Sequence, residues 1–145
     1  MTPPRAGLFA FLFAAFVIVA AAQQQRRASE GVFTAAQAER GQVVFERACA
    51  GCHASNLGGD EPREVPALAH EQFDASWRGE PVAALHRKIR TTMPADRPGS
   101  LTAADYTDIV AYILQANAFR PGAAELTADQ ASLDAITIDP LERTP

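Results

Sequence analysis

Apolar residues recur at helical spacing in three stretches of the chain, and each stretch predicts one helix. The first predicted helix covers residues 35–49, the second 81–90 and the third 102–115. The third has the clearest apolar face, which consists of Tyr106, Ile109, Val110, Ile113 and Leu114. No stretch has the alternation of apolar and polar residues that is typical of a half-buried β-strand. The pattern therefore predicts a small all-α domain.

Local signals mark where two of these helices begin. Thr34 with Gln37, and Thr102 with Asp105, have the spacing of a capping box, in which side chains satisfy free N–H groups of the first turn. Between the first two helices, glycines and prolines interrupt residues 54–76 and predict mostly loop.

Gly41 is an unusual residue for the interior of the first helix. A glycine there costs about 1 kcal/mol relative to alanine. A second helix that crosses close to the glycine backbone would give a packing reason for it. We therefore expect a helix crossing at Gly41.

The first 22 residues differ in kind from the rest of the chain. Arg5 is followed by an uncharged apolar run that ends in small residues, with Ala20 and Ala22 in the small-x-small pattern of a cleavage site. This layout predicts a secretory signal peptide over residues 1–22. The alternative is a retained anchor in the inner membrane, since the run reaches the lower limit for spanning a bilayer. Either way, we expect the domain to be periplasmic or otherwise extracytoplasmic.

Three parts are expected beyond this leader. Residues 23–33 lack apolar periodicity and predict a flexible lead-in, and residues 34–116 form the domain. Residues 117–145 form a C-terminal extension. Four apolar residues predict that this extension packs along the domain surface: Phe119, Leu126, Leu133 and Ile136.

Charge limits the kinds of partner. The chain has 13 Lys and Arg against 17 Asp and Glu, a formal net charge of −4. Such a balance argues against nucleic acid or anionic lipid as the partner. Positive charge is concentrated at Arg87, Lys88, Arg90 and Arg97, and negative charge in the extension at Glu125, Asp129, Asp134, Asp139 and Glu142.

The sequence Cys49-Ala-Gly-Cys52-His53 is the main chemical motif, and the chain has no other cysteines. Cys-x-x-Cys-His is the attachment signature of a c-type haem. Two thiols on one turn meet the two vinyl groups of one porphyrin, and the next residue, His53, offers an imidazole to the iron. We therefore expect one covalently bound haem c.

Two other interpretations of the cysteine pair are weaker. A thioredoxin-like dithiol would lie beside a βαβ pattern, which the sequence lacks. A zinc site needs four ligands, and the remaining histidines, His70 and His86, are too far apart to match a zinc finger. We expect both histidines to be solvated.

Met93 is the predicted sixth ligand of the iron. Methionine sulfur is a common axial ligand in electron-carrying c-type haems. The chain has two methionines, and Met1 belongs to the leader. Pro94 biases Met93 toward an extended backbone, which suits a loop that turns its side chain inward. The predicted cofactor-binding residues are thus Cys49, Cys52, His53 and Met93, of which His53 and Met93 bind the metal.

The chain resembles a class I c-type cytochrome of the bacterial monohaem kind over about residues 34–116. The resemblance is carried by residues that are weak signals singly and specific in this order: Gly41, Phe45, Cys49, Cys52, His53, Pro66-Ala67-Leu68, Trp77, Thr92-Met93-Pro94, and Tyr106 with Ala111-Tyr112-Ile113-Leu114. It implies a helical cytochrome c domain around one haem.

The resemblance also implies contacts within the site. Gly41 and Phe45 would meet Tyr112 where the first and last helices cross. The carbonyl group of Pro66 would accept the ring N–H of His53, and Trp77 would reach a haem propionate, with plain core packing as the alternative.

The function that the resemblance implies is one-electron transfer, without enzyme activity. The expected partners are redox proteins: a dehydrogenase donor, such as a quinoprotein, and an oxidase or other acceptor, with the basic residues of 87–97 steering the encounter. Two alternatives stay open. One is a fixed cytochrome subunit of a dehydrogenase complex, and the other is a haem enzyme or sensor with an open sixth position.

Overall fold

Helices make up most of the structure, a computed structural model that describes residues 24–139. The helices are α1 Ala35–Ala48, α2 Ala50–His53, α3 His70–Trp77, α4 Val82–Thr92, α5 Ala103–Ala116 and α6 Gln130–Asp134. Two short strands, β1 Arg26–Arg27 and β2 Ile136–Thr137, pair in parallel, and 3-10 turns cover Ala28–Glu30 and Glu61–Arg63. The predicted all-α class is confirmed.

The three helices predicted from periodicity are α1, α4 and α5. Their observed bounds lie within about two residues of the predicted ones. The predicted signal peptide, residues 1–22, lies outside the described residues. Within residues 24–139, no helix has both the length and the apolar character needed to cross a bilayer.

α1 and α5 cross at Gly41, and this contact dominates the packing of the domain. A Cβ atom at position 41 would collide with the carbonyl oxygen of Asp108 and would lie 3.0 Å from the Cβ atom of Tyr112. The rings of Phe45 and Tyr112 pack beside the crossing with their centroids 5.3 Å apart. The expected helix crossing, and the contact of Phe45 with Tyr112, are both confirmed.

The two predicted helix starts are capped differently. At α5, the N–H of Asp105 donates to the Thr102 hydroxyl at 3.0 Å, and the N–H of Thr102 donates to the Asp105 carboxylate at 3.2 Å. At α1, Thr34 accepts the N–H of Gln37 at 3.1 Å. The Gln37 side chain binds the Leu126 backbone instead of closing the box: it donates to the carbonyl at 2.9 Å and accepts the N–H at 2.8 Å.

α3 lies in the segment that was predicted to be mostly loop. Phe73 is its one buried residue, so the segment lacks the apolar stripe from which a helix is recognised. The Phe73 ring packs against Phe119 with the centroids 6.5 Å apart. The helix is thus stabilised by a residue of the C-terminal extension.

Residues 24–33 are not the flexible lead-in that the sequence predicted. Ala28, Val32 and Phe33 are buried, and β1 pairs with β2 near the other end of the described chain. The N–H of Gly122 donates to the Phe33 carbonyl at 2.6 Å. The expectation failed because the partners of this segment lie about 100 residues away along the chain, outside any local window.

The described part of the C-terminal extension is bound to the domain. The N–H of Ile138 donates to the Glu80 carbonyl at 2.9 Å, and the N–H of Gly79 donates to the Ile138 carbonyl at 2.7 Å. These bonds attach the extension just before α4, and α6 and β2 also contact α4. The four apolar residues singled out in the sequence are buried: Phe119, Leu126, Leu133 and Ile136.

Arg40 ties the same extension to the two crossing helices. Its guanidinium lies 2.9 Å from the Asp108 carboxylate of α5 and 3.0 Å from the Glu125 carboxylate. The hydrogen bond from Arg40 lowers the pKa of Glu125. The side chains of Arg40 and Glu125 are both about half exposed, so their ion pair contributes little to stability. Its main effect is to orient the extension on the two helices.

Gly41→Ala tests whether the crossing depends on backbone contact. We expect the free energy of unfolding of the mature protein to fall by about 2 kcal/mol. The reason is that a collision with backbone places the overpacking cost at the top of its usual range, about 3 kcal/mol, from which the gain in helix propensity of about 1 kcal/mol is subtracted. Gln42→Ala, at the exposed neighbouring position, is the control and should change stability by no more than about 0.5 kcal/mol. Equal denaturation midpoints for both variants would contradict the backbone contact.

Candidate functional site

A cavity of about 600 Å³ lies between α1, α2, α4, α5 and the loops that join them. Its walls are mainly apolar and include Phe45, Leu85, Ile89, Ile109 and Ile113. Of these residues, Ile109 and Ile113 belong to the apolar face that periodicity predicted for the third helix. A cavity of this volume is within the range that holds a cofactor.

The Cys-x-x-Cys-His motif contributes to this cavity as a single helical turn. Cys49 ends α1, where its N–H donates to the Phe45 carbonyl at 2.8 Å, and α2 follows directly. The N–H groups of Cys52 and His53 donate to the Cys49 carbonyl at 3.1 and 2.9 Å. Both cysteines and the histidine line the cavity. The prediction that the two thiols share one turn is therefore met.

The two thiols are in different surroundings. Cys49 is partly buried and Cys52 is exposed, and no disulfide joins them. Burial first, and the neighbouring Cys52 second, raise the pKa of Cys49 to about 11. Reactive dithiols have a cysteine with a lowered pKa. Cys49 therefore lacks the lowered pKa of a reactive, thioredoxin-like cysteine.

His53 is buried in the wall of the cavity with its ring orientation fixed by one hydrogen bond. Its Nδ1 atom lies 3.0 Å from the Pro66 carbonyl oxygen. Because a carbonyl oxygen only accepts, Nδ1 donates the proton in this contact, and Nε2 is the ring nitrogen left for a metal. A neutral imidazole with one free nitrogen is the form that binds a metal. The hydrogen bond that the resemblance implied is present.

The loop after His53 folds back to bring Pro66 to the imidazole. The N–H of Gly59 donates to the His53 carbonyl at 3.0 Å, and Asp60 and Val65 form an antiparallel bridge of two 2.9 Å bonds. Gly59 has φ +71°, and a Cβ atom there would lie 2.7 Å from the carbonyl carbon of Pro66. Glycine thus allows both the turn and the close approach.

Met93 reaches the same cavity from the end of α4. Its N–H donates to the Ile89 carbonyl at 2.9 Å and completes the last turn of the helix. Its backbone is extended, with φ −127° and ψ 152°, as expected for a residue before Pro94. The partly buried side chain lines the cavity together with the haem-attachment motif.

The hydroxyl group of Tyr106 is a contact of this site that sequence reasoning missed. It donates to the Met93 carbonyl oxygen at 3.0 Å. Periodicity correctly placed Tyr106 on the buried face of α5 but treated it as an apolar residue. A buried tyrosine hydroxyl usually has a hydrogen-bond partner, which was the available signal. The path of the loop, and so the identity of the partner, could not be predicted.

The two histidines outside the motif differ from each other. His70 is exposed at the start of α3, as predicted. His86 is 2% exposed, so the prediction that it is solvated is wrong. Burial, with a contribution from Arg90, lowers the pKa of His86, and its Nε2 atom has no hydrogen-bond partner within the described part of the chain. Neither histidine lines the cavity.

The basic residues near Met93 are not equivalent. Arg97 is paired with its exposed neighbour Asp96 at 3.1 Å. Arg87, Lys88 and Arg90 are exposed on α4, and among residues 24–139 they have no carboxylate within ion-pair distance. We call these three residues the α4 basic cluster. Of the three, Lys88 lines the cavity.

Two further predictions concern the same region. Trp77 is partly buried and lines the cavity, and its contact with a haem propionate stays a prediction. For the zinc alternative, no three His, Cys, Asp or Glu side chains gather as metal ligands within the described residues. The structure therefore gives no support to a zinc site at the motif.

Comparison with known proteins identifies one family. The family described as cytochrome c oxidase, cbb3-type, subunit III matches residues 36–113, which is more than half of the chain. The matched range includes the attachment motif, α3, α4, Met93 and most of α1 and α5. No curated protein and no solved structure matches the chain.

Proteins with this domain carry covalently bound haem c, and the residues present fit that group. One mainly apolar cavity is lined by two thiols for attachment, an imidazole whose Nε2 is free, and a thioether. Nitrogen and sulfur from histidine and methionine form an established axial pair for haem iron. The chain therefore belongs to this cytochrome family, and it is a class I c-type cytochrome.

Proposed function

We propose that the chain is a monohaem electron carrier that works outside the cytoplasm. In this proposal, Cys49 and Cys52 attach one haem c through thioether bonds, and His53 and Met93 are the axial ligands of its iron. Bound haem supplies reversible one-electron chemistry. The observation that carries the proposal is the shared cavity, which both the attachment turn and the end of α4 line.

The proposed axial pair favours electron transfer over binding of small molecules. A thioether ligand favours reduced iron and raises the reduction potential. With His53 and Met93 both bound, an external ligand has to displace a protein side chain before it reaches the metal. This is the reason to prefer a carrier over a haem enzyme or sensor.

Other residues prepare the cavity for this task. The Pro66 carbonyl keeps the proton on Nδ1 of His53, which orients the ring and makes Nε2 a stronger donor. The apolar side chains of Leu85, Ile89 and Ile109 exclude water from the walls. A dry surrounding of this kind also influences the reduction potential of a metal centre.

The proposed partners are redox proteins. Electrons would arrive from an extracytoplasmic dehydrogenase, such as a quinoprotein, and leave to an oxidase or another terminal acceptor. The α4 basic cluster is exposed beside the cavity, so it favours an acidic docking surface on the partner. Encounters of this kind are small, transient and sensitive to salt.

The proposal also includes the cellular location of the protein, which is outside the cytoplasm. Proteins of the c-type cytochrome family are extracytoplasmic. Residues 1–22 would direct export, with cleavage after Ala22. If this segment were retained, the domain would be anchored to the inner membrane by its N-terminus.

A fixed subunit of a larger complex is the second candidate function. The matching family is described as subunit III of a cytochrome oxidase, and this description favours a permanent partner. The haem chemistry would be the same in both cases. Gel filtration of the native material distinguishes them, because a free carrier elutes alone and a subunit elutes with its complex.

Cys49→Ala/Cys52→Ala tests covalent attachment. Expressed in a host that installs haem c, the wild type should gain the mass of one haem and the variant none. We also expect the variant to lose cooperative melting and most of its helix signal in circular dichroism, because a domain of this size has a small core. Ser55→Ala, at the exposed position just after the motif, is the control. Native helix content in the double variant would contradict the dependence on haem.

Met93→Ala tests the sixth ligand. The wild-type ferric protein should be low-spin with a sulfur-to-iron charge-transfer band, and the variant should lose this band. The midpoint potential should fall by on the order of 0.2 V, a part of the roughly 0.8 V range that axial ligands set. A wild-type protein that is high-spin and binds cyanide or carbon monoxide readily would instead support the haem enzyme or sensor.

Lys88→Gln tests steering by the α4 basic cluster. Oxidation of the reduced protein by ferricyanide, an anion, should be about two- to fivefold slower in the variant at low ionic strength, and the difference should vanish at high salt. Arg120→Gln removes the same charge at an exposed position that does not line the cavity, and it should have a smaller effect. Rates that do not depend on salt would exclude steering.

A further inference from the structure

The loop that carries Met93 is closed at its base by one tyrosine hydroxyl. This Met93 loop, residues 93–101, leaves the end of α4 and returns to the start of α5. The Tyr106 hydroxyl donates to the Met93 carbonyl at 3.0 Å, at the beginning of the loop. The same oxygen accepts the N–H of Leu101 at 3.4 Å, at the end of the loop. One side chain therefore holds both ends.

Tyr106 is well placed to act as a rigid support. It is 1% exposed and is among the largest fully buried side chains in the described region. It lies in the first turn after the Thr102 capping box, which fixes the start of α5. A buried aromatic ring has little rotational freedom. The position of its hydroxyl is therefore determined by α5 and not by the loop.

The loop has few other hydrogen bonds, although Pro94 is buried and Leu101 is partly buried. Its internal backbone hydrogen bonds are two short-range turns, from the Arg97 N–H to the Pro94 carbonyl at 2.9 Å and from the Ser100 N–H to the Arg97 carbonyl at 3.2 Å. Residues 95–100, which make up most of the loop, are exposed. These turns shape the loop but do not attach it to the rest of the protein. The attachment to α5 runs through the Tyr106 hydroxyl.

We propose that Tyr106 is a positioning residue for the sulfur ligand. By closing the base of the Met93 loop, its hydroxyl sets the fraction of the protein in which Met93 is bound to iron. This inference rests on the proposed function, in which Met93 is the sixth ligand. The loop is then a two-state element, closed with sulfur on the metal or open with the sixth position free.

Tyr106→Phe is the direct test, because it removes the hydroxyl and keeps the ring. Without this hydrogen bond, the ratio of open to closed loop should rise about fivefold. Imidazole, which competes with Met93 for ferric iron, is the probe. Its apparent affinity, followed by loss of the sulfur-to-iron band, should rise about fivefold in the variant, in line with the larger open fraction.

Tyr112→Phe is the matched control. It removes a hydroxyl from the same helix, but its ring packs against Phe45 of α1 and not against the Met93 loop. Imidazole affinity should be unchanged in this variant. If Tyr106 only filled the core, Tyr106→Phe would shift the denaturation midpoint and leave the imidazole titration unchanged, and that result would overturn the proposal.

A second measurement needs no variant and therefore does not depend on how Tyr106→Phe folds. In the wild type, saturation with imidazole should speed hydrogen exchange of the Leu101 amide, because loop opening breaks its bond to Tyr106. Unchanged exchange would overturn the proposal. A wild-type protein without the sulfur-to-iron band would instead overturn the ligand assignment itself, so the two failures are distinguishable.

Discussion

The close backbone crossing of α1 and α5 at Gly41 is the constraint on which the site depends. α1 ends at the attachment turn that carries His53, and α5 begins one turn before Tyr106. Because a Cβ atom at position 41 would collide with the Asp108 carbonyl, backbone contact sets the separation of the two helices. Such a contact leaves less freedom than side-chain packing does, since it has no rotamers to adjust. The crossing therefore fixes the position of His53 relative to Tyr106, whose hydroxyl binds both ends of the Met93 loop.

Sequence patterns predicted those parts of the molecule whose conformation is determined by residues close together along the chain. α1, α4 and α5 each carry an apolar stripe, and the short spacing of the motif defines one turn. Met93 was singled out from composition, because the other methionine, Met1, lies in the predicted signal peptide; its place in the cavity wall agrees with that choice, and its binding to iron stays a prediction. The hydrogen bond from His53 to Pro66 came from the family resemblance. The intervening loop contains a positive φ at Gly59 and a bridge from Asp60, and no periodicity specifies such a path.

The features that were missed depend on partners far along the chain. Gln37 has the spacing of a capping residue, but its side-chain amide forms hydrogen bonds with the backbone of Leu126 instead. β1 forms only because β2 supplies its partner more than 100 residues later. His86 is polar and was assigned to solvent, yet it lies on a buried part of α4, a helix that α6 and β2 contact from far along the chain. A pattern within one window contains no information about any of these contacts.

The described segments outside the family match bind to each other and to the chain just before α4, and we call them the clasp. β1, α6 and β2 lie outside residues 36–113; the strands pair with each other, and the chain just after β2 binds residues 79–80 immediately before α4. α4 thus lies between the cavity on one side and the clasp on another. A small domain buries a modest fraction of its surface, and these segments add to what α4 buries. Contacts thus link the sulfur residue to the rest of the chain in two ways: α4, which ends at Met93, packs against α6 and β2, and the Tyr106 hydroxyl binds the Met93 carbonyl.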